Sequence, residues 1–288
     1  MYIDLQLHST YSDGKLTPTQ LAKFLEERSV KVAALTDHNT VAGLDEFFRA
    51  CKKRNIKSIS GIELYVRYGS RRLNFLLYNF DKDSPYFHEF LRKTQIQRYR
   101  NVVKALKYWQ EQGLEIDIEK ILSKYNHYIP INGLVRTIKK NSNNLKFIKE
   151  GLKTKNPHEW EIIKFLFKHK KRYYLDETHV NVHRLKDLHK KIGGQIIMGH
   201  PGKGKVDADL VVKLLKGKFI DGIELLSPHH SWDTISYYQH KLKGRKIIYT
   251  GGSDFHGMDS GLNSYIKCSW DYFKVRSNLL PGVEKIIN

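Results

Sequence analysis

The sequence predicts an α/β protein of one barrel-sized domain carrying a mostly helical, basic insertion. Three observations predict it. Strand-sized apolar runs alternate with helical patterns in both end portions of the chain, which calls for a parallel sheet. Nearly every one of those strands ends in His, Asp or Glu. Between the two alternating portions, residues 85–189 read as one helix after another. A chain of 288 residues is long enough to bury such a core.

The first strand spans residues 2–8. Ile3, Leu5 and Leu7 alternate with Asp4, Gln6 and His8, and this period of two puts the three polar side chains on one face. A polar loop follows, with Ser9, Thr10, Ser12, Asp13 and Gly14. Thr17-Pro18-Thr19 opens a helix with Thr17 as N-cap, Pro18 at the first position and Gln20 behind it. Leu21, Phe24 and Leu25 form its apolar face. VAALTDHNTVAG is strand, loop and helix start, with Asp37 and His38 just past the strand. A helix through Phe47, Phe48 and Ala50 leads to the basic KKRN turn. SISGIELYVRY is a strand carrying Glu63, and RRLNFLLYNFD is another with Asn74 near its start.

The helical portion begins at Pro85. A long helix over residues 87–112 has Val102, Val103, Leu106 and Trp109 as apolar positions and stops at Gly113. Shorter pieces follow to His189, broken near Pro130, residues 141–144 and Pro157. Residues 139–191 hold fifteen Lys or Arg against six acids. The stretch is read either as a lid or nucleic-acid surface or as a solvated helical face. Alternation then resumes. A strand ends at His200-Pro201, a helix covers residues 208–215, and a strand ends before Ser227-Pro228-His229-His230. A helix over residues 232–242 precedes a last strand, which ends in GGSDFHG with Asp254 and His256. The expected division is a barrel of residues 1–84 and 190–288 with an insertion of residues 85–189.

Composition sets the bounds. Hydrophobic residues make up 40% and charged residues 28%, a soluble globular balance. The longest apolar runs, such as VAAL and IIYT, are strand-sized, so no membrane span is expected. The first strand follows directly on Met1 and leaves no room for a signal peptide. Cys51 and Cys268 lie far apart with no CxxC spacing, which argues against a disulfide framework or zinc-finger cluster. A cytoplasmic protein is expected. Fifty Lys and Arg against thirty Asp and Glu give a net charge of +20. Such a surface concentrates polyanions, and it is explained equally by a nucleotide or nucleic-acid partner and by a lysine-rich proteome.

One histidine after one strand is ordinarily structural. Here five strand ends offer His8 with Asp13, Asp37 with His38, Glu63, His200, and Asp254 with His256. In a closed parallel barrel these ends converge on one face. Imidazoles mixed with carboxylates suit Zn, Mn or Fe. A carboxylate such as Glu63 can bridge two ions, and paired ions roughly 3.5–4 Å apart activate water and neutralise charge on a transferring phosphoryl group.

The segments DLQLHSTYSDG, ALTDHNTVAG, SGIEL, MGHPGKGK, GIELLSPHHS and TGGSDFHG, in this order, resemble the PHP (polymerase and histidinol phosphatase) family of metal-dependent phosphoesterases. The resemblance covers the chain outside the basic insertion. It implies a distorted (β/α)7 TIM-like barrel with two or three metals at the C-terminal strand ends, and hydrolysis of phosphate esters by attack of a metal-bound hydroxide. It places His8, Asp13, His38, Glu63, His200, Asp254 and His256 at ligand positions. Asp13, His38 and His256 would hold one ion, His8, Glu63 and Asp254 another, and Glu63 with His200 would face a third. The family's first motif usually reads DLHxH, and Gln6 stands in place of its first histidine. Asn74 likewise occupies a place usually held by histidine. An amide oxygen is a harder, weaker ligand for zinc-like ions. One or two well-held ions are therefore expected, with the position near Asn74 and His200 weak or empty.

Other residues are candidates for substrate contact: His229 and His230, Arg136, Arg100 and, beside it, Arg98. Lys203 and Lys205 are read as a surface pair. Tyr11, Tyr65 and Phe255 are near the motifs, either as core or as a surface for stacking on a base. The leading expectation is a phosphoester hydrolase acting on a nucleotide or oligonucleotide, as a nucleoside bisphosphate phosphatase or a 5′-3′ exonuclease. The alternatives are a histidinol-phosphate type of phosphatase and a degenerate barrel that binds nucleic acid without hydrolysing it.

Overall fold

A computed structural model describes residues 1–169, 171–257 and 274–288. In chain order its elements are β1 (Tyr2–Asp4), α1 (Pro18–Glu27), β2 (Val30–Leu35), α2 (Leu44–Lys52), β3 (Lys57–Tyr68), β4 (Arg71–Tyr78), α3 (Pro85–Glu111), α4 (Ile118–Leu122), α5 (Ile131–Ile138), α6 (Ser142–Leu152) and α7 (Glu159–Phe167). Then come β5 (Val180–Asn181), α8 (Val182–Ile192), β6 (Gln195–Met198), α9 (Ala208–Lys216), β7 (Gly222–Leu226), α10 (Trp232–Lys241), β8 (Ile248–Gly251), β9 (Val275–Arg276) and a last short helix, Glu284–Ile287. Cys268 lies outside the described residues. No helix among those described is long and apolar enough to cross a membrane.

The chain divides into two compact units, residues 1–91 with 179–288, and residues 92–178. In the first unit the strands run in the order β8-β7-β6-β4-β3-β2-β1-β9. The path closes on itself beyond β1 and β8. Leu7 bridges Phe255 in parallel, and His8 N donates to Phe255 O at 3.0 Å. This is a distorted TIM-like barrel, with β9 as an outer partner of β1 and β5 as an outer partner of β3.

Two local features depart from the sequence reading. The sheet is not wholly parallel, because β4 runs antiparallel to both β3 and β6. The cause is the two-residue Gly69-Ser70 connection, where Gly69 takes φ 56° and turns β3 straight back as a hairpin. The first strand is also shorter than its alternation suggests, ending at Asp4. Its two faces are both buried: Ile3, Leu5 and Leu7 are at most 1% exposed, and Gln6 and His8 are 0% exposed. The period of two therefore separates core from site and does not separate core from solvent. Each fully buried aliphatic chain here contributes about 1.5–3 kcal/mol.

The expected insertion boundaries lay at 84/85 and 189/190, whereas contacts divide the chain at 91/92 and 178/179. Phe87 and Leu91 at the start of α3 and Val182, Leu185, Leu188 and Ile192 of α8 pack into the barrel core. The helical unit has its own core, where Val102, Leu106 and Trp109 of α3 meet Leu134 and Val135 of α5, Ile148 of α6 and Leu166 of α7. Arg98, 3% exposed, is a tie inside this unit. It donates to Ile129 O and Asp176 O and lies 2.9 Å from Glu177 Oε2. The structure thus gives Arg98 a structural place.

Candidate metal centre

The C-terminal ends of the barrel strands bring the polar residues together. His8 and Asp13 come from the loop after β1, and His38 follows β2. Glu63 sits within β3, His200 follows β6, His229 follows β7, and Asp254 and His256 follow β8. The reversal of β4 brings its beginning to this same end, so Asn74 pairs with Tyr65 beside Glu63. Gly14 allows the first loop to fold back on itself. A Cβ at this position would meet His8 O at 2.1 Å, so a side chain here displaces Asp13. His200 and Asp254 both have left-handed backbone, with φ of 25° and 51°. Non-glycine residues hold such angles only where surrounding contacts over-determine them.

Distances within the cluster are short. His8 Nε2 lies 3.1 Å from both Glu63 Oε2 and Asp254 Oδ1. Asp13 Oδ1 lies 3.3 Å from His256 Nε2, and its Oδ2 lies 3.6 Å from His38 Nε2. His200 Nε2 lies 3.2 Å from Glu63 Oε1. Potential ligand atoms of His8, Asp13, His38 and His256 all lie within 4.8 Å of one another, as do those of His8, Glu63 and Asp254. His256 Nδ1 is 2.7 Å from the Asp254 carbonyl oxygen. A carbonyl only accepts, so Nδ1 carries a proton, and Nε2, which faces Asp13, is the ring atom left to ligate an ion.

A second tier of buried acids braces these loops. Asp37 accepts hydrogen bonds from Ser9 N (2.7 Å), Ser9 Oγ (2.6 Å) and Ser12 Oγ (2.5 Å), fixing the loop that carries Asp13. Asp4 accepts from Ser253 N and Ser253 Oγ, fixing the approach to Asp254. Glu224 Oε2 accepts from His200 N at 2.8 Å. Asp37→Ala is expected to weaken divalent-ion binding by about 10–100-fold, as loss of outer-shell support does. Titration calorimetry with Mn²⁺ checks it, and unchanged affinity removes Asp37 from this role.

Burial opposes ionisation of the inner acids, and their imidazole and ammonium neighbours outweigh it. His256 and His38 hold Asp13 far below the usual carboxylate range. His38 and His200 do the same for Glu63, and His256 and Lys203 for Asp254. Burial also disfavours the His8 cation, but hydrogen bonds to Asp254 and Glu63 raise it well above its ordinary value. In the outer tier burial prevails: it raises Asp4 to about 6 and holds Glu224 well above the carboxylate range. The inner carboxylates are therefore anionic, and the outer ones take up a proton more readily than free carboxylates do.

Gln6 and Asn74 turn their amide nitrogens to Glu63. Asn74 Nδ2 donates to Glu63 Oε1 at 2.6 Å, and Gln6 Nε2 donates to Oε2 at 3.3 Å. An ionised carboxylate only accepts, which fixes this orientation. Asn74 thus offers Glu63 its nitrogen, not the amide oxygen expected of it as a ligand.

The remaining candidates separate. His229 Nε2 lies 2.6 Å from Asp254 Oδ2, at the centre. His230 is committed on both ring nitrogens, Nδ1 donating to Leu225 O and Nε2 accepting from Gly202 N, which corrects its reading as a phosphate contact. Arg100, exposed on α3, and Arg136, half-buried on α5, belong to the helical unit. Phe255 is fully buried against Phe24, and Tyr65 stacks on His38. Lys203 is no mere surface residue: its Nζ lies 3.3 Å from His229 Nε2 and 3.6 Å from Asp254 Oδ2. Lys203 also lines a cavity of about 160 Å³ with Arg72, Asn74 and His200. The sequence reading missed Arg72; the only signal was its position two residues before Asn74. A cavity of about 720 Å³ lies at the opposite strand ends among Lys186, Lys218 and Lys246, and holds none of the cluster.

The donor set fits a divalent ion. Ionised carboxylates and imidazoles converge, and the buried His8 Nδ1 and Gln6 Oε1 lack hydrogen-bond partners among the described residues. Such unpartnered buried atoms call for a partner, which a bound ion would supply.

Comparison with known proteins agrees with this fold. The PHP domain family matches residues 4–178. A 5′-3′ exoribonuclease of Haemophilus influenzae is 38% identical over 100 residues, 35% of this chain and 36% of its own length. The matched stretch is thus about a third of that relative. A 3′,5′-nucleoside bisphosphate phosphatase of Chromobacterium violaceum is 24% identical over 276 residues, 90% of this chain and 88% of its own. A phosphoribosyl 1,2-cyclic phosphate 1,2-diphosphodiesterase of Eggerthella lenta is 25% identical over 264 residues, 89% of this chain and 95% of its own. Among solved structures, a proposed metal-dependent phosphoesterase of Bifidobacterium adolescentis superposes with a TM-score of 0.72 at 18% identity, covering 93% of both chains.

Proposed function

The chain belongs to the PHP domain family, and from that premise we propose that it is a metal-dependent phosphoric ester hydrolase acting on a nucleotide or short oligonucleotide. The observation that carries the reading is the convergence of His8, Asp13, His38, Glu63, Asp254 and His256 beside the cationic Lys203 and Arg72. The names of the relatives from C. violaceum and H. influenzae support a nucleotide-type substrate, and the net charge of +20 favours polyanions.

Asp13, His38 and His256 would hold one ion, and His8, Glu63 and Asp254 a second. We give a third position, near Asn74 and His200, little or no occupancy, because the two amides already donate to Glu63. When bound, divalent ions supply Lewis acidity and a nucleophile from water at neutral pH. The chain's own side chains do the rest. Arg72 and Lys203 bind phosphate oxygens, orienting the ester over the cluster, while His229 Nε2 donates to Asp254 Oδ2. Asp254 keeps His229 and His8 in place, and the buried outer acids keep the loops from shifting.

The test is initial rates with Mn²⁺ on adenosine 3′,5′-bisphosphate, 5′-phosphorylated oligonucleotides, p-nitrophenyl phosphate and histidinol phosphate. The reading predicts the highest kcat/KM on one of the two nucleotide-type substrates. Preference for histidinol phosphate, or no turnover with oligonucleotide binding retained, contradicts it.

A further inference from the structure

The helical unit carries twenty Lys and Arg against nine Asp and Glu in 87 residues, a denser positive charge than the barrel's. Its surface has one feature that solubility does not require. On α7, Ile162, Phe165, Leu166 and Phe167 are buried, yet Trp160 on the same helix is 62% exposed. Tryptophan is enriched where proteins bind partners, because it offers a large flat surface with few rotatable bonds. Trp160 lines a cavity of about 320 Å³ with Lys164, Phe165, His169 and Arg172. This volume is at the small end of ligand pockets.

The cavity is furnished for a flat, electron-rich group. Phe165 lies in its floor, with the Arg172 guanidinium carbon 4.4 Å from the ring centroid. His169 Nδ1 is buried and has no hydrogen-bond partner among the described residues. On the other side of the α6 C-terminus, Lys149, Lys153 and Lys155 border a shallow cavity of about 570 Å³. Gly151 and Leu152, on the cavity wall beside Trp160, stand between Lys149 and Lys153, so the two cavities adjoin. Among the described residues, none of Lys149, Lys153, Lys155, Lys164 or Arg172 is paired with a carboxylate. A flat aromatic beside a track of unpaired cations is the arrangement that stacks bases and follows a phosphate backbone. Stacking on Trp160 needs an unpaired base, which selects a single strand over a duplex.

We propose that the surface formed by the end of α6 and the start of α7 binds single-stranded nucleic acid. One base stacks on Trp160 within the Phe165–Arg172 cavity, and the phosphates lie along Lys149, Lys153, Lys155 and Lys164. This deepens the nucleotide reading of the enzyme by making the substrate class a strand, and it rests on that reading only for the hydrolysis of the bound strand.

Binding is measured on the full chain in EDTA, which separates it from hydrolysis, by fluorescence anisotropy of a labelled twelve-nucleotide single strand. Trp160→Ala is expected to weaken binding about tenfold, the scale of one lost base stack, and Trp160→Phe to restore most of it. Replacing Lys149, Lys153, Lys155 and Lys164 by Gln is expected to reduce the slope of log K against log salt by about 3. Hydrolysis of adenosine 3′,5′-bisphosphate by Trp160→Ala is expected to equal wild type. Wild-type affinity in Trp160→Ala overturns the proposal, as does equal, Trp160-dependent binding of a hairpin duplex or competition by polyglutamate at matching charge. If no phosphoester is hydrolysed but the strand binds through Trp160, the surface stands and the catalytic reading falls.

Discussion

Replacing Asp254 by Ala is expected to cut phosphoester hydrolysis by at least about a hundredfold, the upper end of what loss of mere outer-shell support costs a metal site, and His38→Ala is expected to do the same. Asp254 links the ligand cluster to His229 and Lys203 beside it. One carboxylate oxygen lies 3.1 Å from His8 Nε2, and the other lies 2.6 Å from His229 and 3.6 Å from Lys203. Its removal takes away a ligand and also frees His229 and Lys203, the latter a proposed contact to the substrate phosphate. His38 acts differently, spanning Asp13 and Glu63 at 3.6 and 3.5 Å. The measurement is initial rate with Mn²⁺ beside thermal unfolding with and without the ion. Wild type is expected to gain stability from Mn²⁺ by mass action and the variants to gain less. Activity retained in folded Asp254→Ala removes the cluster from the reaction.

The double substitution Gln6→His with Asn74→His is expected to raise the bound ions by one per chain. In the wild type both oxygens of Glu63 receive an amide N–H, from Asn74 at 2.6 Å and from Gln6 at 3.3 Å. These donors occupy lone pairs that an ion at the His200 side would use, and the amide nitrogens turned to Glu63 offer none in return. Imidazoles at the two positions reverse both effects. His200 Nε2, 3.2 Å from Glu63 Oε1, is already in place as a partner. Elemental analysis of dialysed protein reads the outcome. Three tightly held ions in the wild type, unchanged in the double variant, contradict the account.

The residues themselves explain how far the sequence could be read. His8, Asp13, His38, Glu63, His200, Asp254 and His256 were visible because each sits at or near a strand end, and a barrel gathers strand ends whatever the details of its pairing. Thr17 and Gln20 were equally local: their reciprocal capping bonds depend only on residues three apart. The direction of β4 was harder to read, although two strands in succession hinted at it. It turns on the Gly69-Ser70 hairpin, a two-residue feature between long apolar runs. The braces were out of reach. Asp37 looks like a second ligand next to His38, and only the folded loop shows it occupied by Ser9 and Ser12. His230 looks like a twin of His229, yet a one-residue step turns its ring away to tie Gly202 to Leu225. Trp160 gave no signal, since exposure on one face of α7 depends on how that helix packs in its own unit.

The central claim, that the barrel-end cluster is a divalent-ion centre, is tested most directly by ion binding itself. Mn²⁺ titration calorimetry, paired with elemental analysis, is predicted to give one or two ions per wild-type chain and a clear loss in Asp13→Ala. Affinity is predicted to rise from pH 6 to pH 8. Carboxylate partners, working against burial, raise the proton affinities of His8 and His256 in the metal-free protein, so a bound ion must displace those protons, and fewer remain as pH increases. A wild-type chain that retains no ion at pH 8, or an Asp13→Ala chain that binds as many ions as tightly, contradicts the claim.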